Sequence, residues 1–304
     1  MMQQRVGELS MVGAAALWGL LPVVSKQAYE QVPVLLCAAL SALAAACFFA
    51  LLLTLRREWH ELLCKPALTS SVISALGIGV VFYGMVFWGQ SMVPASTTSV
   101  LLLMELFFSM LLLRWMGHEQ LSRRQVQGAV VMVIGAVLVL APKSLGDFGL
   151  GELVILLAAA VPPLANVHMQ RARQHAGVSS IMFTRSCISF SMLALLAWLF
   201  ESMPKGEDVL AVWPWILING VLILGVSKML WIEAIRRIPI SKAVAMNSIA
   251  PLVTLATASW LLGETADWYQ WFGCVPLSLG CWLLVSNRRQ QAMPVATAVS
   301  SRPD

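Results

Sequence analysis

The amino-acid sequence predicts an all-α membrane protein: ten transmembrane helices in two inverted five-helix repeats. Three observations carry this expectation: a composition too apolar for water, ten apolar runs of membrane length, and a stretch that is written twice. The chain has 304 residues, 59% hydrophobic and 12% charged, with a mean hydropathy of +0.79. A soluble domain carries about 25% charged residues, so the main solvent for these side chains must be lipid. Lipid gives the backbone no hydrogen-bond partners, and the runs lack strand alternation, which leaves helices as the spanning element.

The runs lie at about 8–25, 33–55, 69–90, 93–116, 124–141, 151–170, 178–201, 213–235, 239–262 and 268–286. Each is near the roughly 20 residues that a crossing needs. The first is interrupted by Pro22 and ends at Lys26. It lacks a signal-peptide cleavage site and is read as a retained helix. The fourth and fifth runs, with the polar corner between them, recur in the ninth and tenth at a shift of 145 positions (239 − 94). Pro94 falls on Pro239, Glu119 on Glu264, Gly128 on Gly273 and Gly135 on Gly280 without a gap. Upstream, Gly7-Glu8-Leu9 matches Gly151-Glu152-Leu153. The repeats are therefore drawn at 1–144 and 145–289, with a polar, Pro-containing tail at 290–304 expected to be disordered. Five crossings per half is an odd number, so the second half enters the membrane upside down. Inverted repeats meeting at a midplane cavity are an architecture of secondary transporters.

Charge sets the orientation. Of 20 basic residues, fifteen fall in loops on the side of the N-terminus, three (Lys26, Lys143 and Lys205) on the other side, and two, Arg185 and Lys228, inside helices. By the positive-inside rule both termini are cytoplasmic; the membrane is expected to be the inner, cytoplasmic one. The net charge of +5 is used up in these short clusters. No basic face or stacking motif points to nucleic acid. The six cysteines form no C-x-x-C, lie mostly within apolar runs and read as small apolar residues rather than metal ligands or disulfides. No Walker loop, zincin motif or nucleophile elbow appears, so neither a metal nor a cofactor is expected.

The Leu17-Trp18-Gly19 opening of the first run and the ending Pro251…Leu262-Gly263-Glu264…Gly273…Gly280 resemble EamA-type members of the drug/metabolite transporter superfamily. The first copy departs from the pattern, with His118 in place of Gly263 and Leu106 in place of Pro251. The resemblance implies a ten-helix carrier that exports small metabolites or amino acids by alternating access. The path would be lined by helices one, three, four, six, eight and nine.

Two charges lie deep in apolar runs. Glu105 sits midway along the fourth, between VLLLM and LFFSM; a carboxylate at that depth costs about 2.5–3.5 kcal/mol. It reads as a proton-coupling group or a partner for a substrate amine, against a fixed interhelical pair. Lys228, deep in the eighth run, reads as a receptor for a substrate carboxylate, against simple neutralisation of Glu105. Their repeat partners are Ala250 and Tyr83, so neither charge belongs to the scaffold. Arg185 is seven residues into its run, from where it either snorkels to the cytoplasmic face or serves the site. Asn166 and Asn247 beside the helix-breaking Pro162-Pro163 and Pro251, read against a stitching role between helices, and the aromatics Trp18, Tyr83 and Trp231, read against lipid-facing or packed positions, complete the candidate substrate site; Trp88 is weighed with the aromatics, and His168 against a packing or interfacial role. Glu233 reads as a local partner of Arg236 or Arg237.

The expected function is secondary active export of a small polar metabolite, an amino acid or amino-acid-derived zwitterion. Efflux of lipophilic cations is the alternative, in which Glu105 alone matters and Lys228 is an obstacle. A membrane-embedded lipid-modifying enzyme is the remote one, for which no nucleophile or metal cluster is in sight. The expected partners are the small-molecule substrate and membrane lipid; protons and a second copy of the chain are candidates.

Overall fold

With lipid outside, each segment must satisfy its own amides. The computed structural model is helical, with no strand among the described residues, which are 2–29, 31–115, 123–140, 149–238, 243, 246–247, 249–264 and 268–286. Six helical segments are long and apolar enough to cross a membrane: Gln3–Tyr29, Val34–Arg56, Lys65–Gln90, Leu150–Met169, Val178–Phe200 and Gly206–Ala234. Four shorter apolar helices are Ala95–Ser109, Val126–Gly135, Ile249–Leu261 and Trp271–Leu283. Glu119, His118, Lys143, Pro239 and the tail from 290 lie outside the described residues.

Several runs are not single α-helices. The first is α1 (Met2–Gly19) and α2 (Leu21–Tyr29). It begins earlier than the sequence suggested and is divided at Leu20, where Pro22 cannot donate to the Trp18 carbonyl. The second is the unbroken α3 (Val34–Arg56). The third is α4 (Lys65–Ser74), a widened π-helical stretch over Ala75–Phe82, and α5 (Tyr83–Gln90). The fourth is α6 (Ala95–Leu102) and α7 (Glu105–Trp115), and the fifth is α8 (Arg123–Leu140). The second half repeats the pattern: α9 (Leu150–Ala159) and α10 (Val161–Ala172) divided before Pro162-Pro163, and the unbroken α11 (Val178–Phe200). Then come α12 (Gly206–Leu217), a second π stretch over Ile218–Val226, α13 (Ser227–Arg237), α14 (Ile249–Leu261) and α15 (Trp268–Ser286). α3 and α11 are each 23 residues long, and the π stretches stand at matching places in the two halves.

The halves meet through reciprocal contacts. A Cβ on Gly135 of α8 would stand 2.7 Å from Leu277 Cγ and 3.0 Å from the Gly273 carbonyl of α15, and one on Gly280 would strike Met132 and the Gly128 carbonyl. The register runs antiparallel, and each residue in one contact is the repeat partner of a residue in the other. Small residues let the two backbones approach this closely. α3 and α11 exchange helix caps in the same spirit. Glu201, just past α11, accepts the amides of Leu35 (2.8 Å) and Leu36 (3.0 Å) at the start of α3. Glu61, after α3, accepts the amide of Gly177 (2.7 Å) before α11. Each carboxylate satisfies otherwise orphaned donors and opposes the helix dipole.

Gly77, Gly79 and Gly89 meet Ala165, Ser189 and Ile155 closely, whereas Gly84 has only an ordinary contact with Leu193 at 3.5 Å. Three cysteines, Cys37, Cys274 and Cys281, are buried; Cys47 is exposed. The exposed side chains are largely apolar, as on Trp198, Phe200 and Val275, which suits a surface facing lipid.

Candidate functional site in a central cavity

Both halves contribute to a cavity of about 380 Å³. Glu105 reaches it because the fourth run tightens just before it. Leu103 and Met104 donate to Val100 and Leu101 three residues back (3.1 and 3.0 Å), and a new helix starts at Glu105. The carboxylate therefore sits in the first turn of α7, where the helix dipole favours negative charge. Lys228 is the second residue of α13, directly after the π stretch. Its Nζ lies 3.6 Å from the centroid of the Trp18 ring, a close cation–π contact. Tyr83 opens α5 after the other π stretch. Insertions of this kind re-aim side chains and recur at functional sites.

Arg185 does not extend to the face of the protein. It is 6% exposed and its guanidinium carbon is 6.0 Å from the Tyr83 ring centroid. Lys228 lies within electrostatic reach of both Arg185 and Glu105. No ion pair joins Glu105 to Lys228 among the described residues.

All eight residues singled out from the sequence, Glu105, Lys228, Trp18, Tyr83, Asn166, Asn247, Trp231 and Arg185, line this one cavity. Trp88 and His168 do not; Trp88 points outward and is 46% exposed. Glu233 is held by Arg237 at 2.6 Å, away from the cavity; the Arg236 side chain lies outside what is described. Sequence reasoning passed over Ser99, Thr254 and Arg173, which also line it. Thr254 lies one turn after Pro251, which was the available signal, and its hydroxyl donates to the Gly19 carbonyl at 2.6 Å. That bond ties α14 to α1 beside its break. No group of three potential metal ligands comes together among the described residues.

The two faces of the bundle differ around the cavity. Toward the face of the N-terminus it reaches Arg173, at the exposed end of α10, and Val178. At the opposite face Glu264, beyond α14, receives Lys26 Nζ (3.0 Å) and the amides of Ala95 (3.1 Å) and Ser96 (3.5 Å). One carboxylate thus joins the ends of α2 and α14 to the first turn of α6.

Comparison with known proteins agrees with this architecture. The uncharacterized transporter YoaV of Bacillus subtilis is 25% identical over 251 residues, 81% of this chain and 85% of its own. A protein of Salmonella typhimurium named "Probable amino-acid metabolite efflux pump" is 27% identical over 302 residues, 95% of this chain and 97% of its own. A solved crystal structure superposes with a TM-score of 0.69 over 94% of this chain and 99% of its own at 18% identity, a likeness of fold alone. The EamA-like transporter family model matches twice, over residues 5–141 and 149–286. A multi-pass helical protein built from two copies of that unit, the chain belongs to the EamA-like transporter family.

Proposed function

We propose that the protein is a secondary active carrier that exports a small polar metabolite, an amino acid or an amino-acid-derived zwitterion, across the cytoplasmic membrane. It works by alternating access, as ten crossings in two mutually inverted halves with both termini in the cytoplasm. One observation carries the reading: a carboxylate and an ammonium, Glu105 and Lys228, line one cavity without forming an ion pair with each other. That arrangement suits a cargo with both charges, its amine on Glu105 and its acid on Lys228. Charge-assisted hydrogen bonds are worth about 1.5–3 kcal/mol each. The cavity volume falls within the usual range for small-molecule sites, about 300–1,000 Å³. The Salmonella relative is named for amino-acid metabolite efflux. Loading from the cytoplasm fits a cavity that extends toward the N-terminal face, with Lys26 and Glu264 joined at the far one. Proton exchange at Glu105 is the coupling step the geometry offers, since its carboxylate lines the cavity.

Counterflow of labelled amino acids in proteoliposomes tests this. Glu105→Gln and Lys228→Met should each lower exchange by about tenfold or more, the loss of one such bond. Correctly folded variants with undiminished exchange remove both residues from the site. Efflux of lipophilic cations predicts the reverse for Lys228, whose replacement would raise activity. The two cations lining the cavity, Lys228 and Arg185, speak against that cargo.

A further inference from the structure

The cavity holds a surplus of positive charge. Glu105 is the one carboxylate among its described lining residues, whereas Lys228 and Arg185 both line it, with Arg173 at the exposed rim. A neutral zwitterion accounts for Glu105 with its ammonium and for one of the two cavity cations with its carboxylate. One cation is left over.

Arg185 is the better candidate for that surplus. Lys228 rests on the Trp18 ring at 3.6 Å. The Arg185 guanidinium is 6.0 Å from the Tyr83 centroid, the outer limit of a cation–π contact. At 6% exposure it has no acidic partner among the described residues. A buried guanidinium presents a planar fork of five donors that matches the oxygens of a carboxylate or another oxyacid in paired fashion. An ammonium in its place would supply charge without that geometry.

We infer that Arg185 receives a second acidic group, and that the preferred cargo is an α-amino acid with an acidic side chain. Its ammonium faces Glu105, one acid group faces Lys228 and the other faces Arg185. This rests on the zwitterion reading above and narrows it. Carboxylate, phosphate and sulfonate side chains share the required chemistry, and the experiment separates them.

Proteoliposomes containing the full chain are preloaded with unlabelled cargo, and entry of labelled L-glutamate and its neutral isostere L-glutamine is compared. O-phosphoserine and cysteic acid serve as competitors that identify the acid class. In the unmodified protein, kcat/KM for glutamate should exceed that for glutamine by about tenfold or more. In Arg185→Gln the glutamate-to-glutamine ratio should collapse to about one, whatever the absolute rates, and Arg185→Lys should fall between. Equal handling of the two by the unmodified protein overturns the inference and leaves the zwitterion carrier standing. So does an Arg185→Gln variant in which both rates fall alike and the ratio is kept. If no amino zwitterion exchanges at all, the carrier reading fails and this inference with it. Should Arg185→Gln not elute as a folded species, competition in the unmodified protein decides. Acidic competitors must then block glutamine exchange at concentrations about tenfold lower than alanine or serine does.

Discussion

Replacing Glu264 tests how the ends of α2, α6 and α14 are held together at the face opposite the N-terminus. The Glu264 carboxylate binds Lys26 Nζ at 3.0 Å and caps α6 through the amides of Ala95 and Ser96 at 3.1 and 3.5 Å. The two side chains are 25% and 19% exposed, so solvent screens the ion pair in part, and it contributes about 1 kcal/mol, the upper end for exposed pairs. Losing a helix cap costs about 1 kcal/mol more. Glu264→Ala, which removes both, should weaken this junction by about 2 kcal/mol, a factor of about 30 in the population of molecules in which it is open. Glu264→Gln keeps an acceptor oxygen and loses the charge, as Lys26→Met also does. Each should cost about 1 kcal/mol, a factor of about five. Amide hydrogen exchange of the protein in lipid nanodiscs reads this directly at Ala95 and Ser96. Their exchange should rise in the order unmodified, Glu264→Gln, Glu264→Ala, with Lys26→Met beside Glu264→Gln. Unchanged exchange in Glu264→Ala, or equal effects of Gln and Ala, refutes the reasoning. The first outcome would mean that the carboxylate does not hold the helix ends together, and the second that charge alone matters.

Two further expectations concern packing and cargo. Gly280→Leu drives a side chain into Met132 and the Gly128 carbonyl, and overpacking of this kind costs about 1–3 kcal/mol. Its thermal unfolding in detergent should fall well below that of Gly84→Ala, made where Leu193 is at an ordinary 3.5 Å; equal stabilities would sink the interlocked-helix account. Trp18→Ala removes the ring beneath Lys228, a contact worth about 0.5–2 kcal/mol. KM for amino-acid exchange should rise severalfold, with Trp18→Phe intermediate; no change in KM would detach the ring from the site.

What the sequence made legible was whatever contrasts with lipid. A charge in an apolar run stands out, so Glu105, Lys228 and Arg185 were visible, and the repeated glycines, such as Gly135 and Gly280, marked the duplication but not that their two helices touch. The break before Glu105 was not visible. Its residues, Leu103 and Met104, are apolar helix formers with no proline or glycine, and the turn there is decided by packing rather than by propensity. The π stretches were hidden for a related reason: an extra residue per turn leaves no trace where both faces are apolar. Nor did the sequence show the role of Glu264, whose partners are Lys26, 238 positions away, and Ala95, 169 positions away. The direction of Arg185 depended on how α11 packs against its neighbours, which no local pattern in the sequence encodes.

The duplication explains why the site is polar in a directional sense. Features the halves share are structural: the π stretches, the glycine contact and the exchanged caps. The charges that line the cavity stand where the halves differ. Glu105 corresponds to Ala250 and Lys228 to Tyr83 at the shift of 145, and Arg185 corresponds to Ser41 when the equal-length α3 and α11 are aligned. Ser41 is spent in a buried contact, accepting from the Asn219 amide at 3.2 Å. Had both halves carried the same charges, the pseudo-two-fold would present two equivalent ways to bind a cargo, end for end. With the carboxylate on the first half and both cations on the second, only one orientation pairs every charge. A cargo so held bridges the halves, and any rocking of one half against the other must either carry it or break a charge-assisted contact worth about 1.5–3 kcal/mol. Under the proposed alternating access, a bound cargo would therefore add differential contacts between the halves, and such contacts are what let a ligand shift a conformational equilibrium.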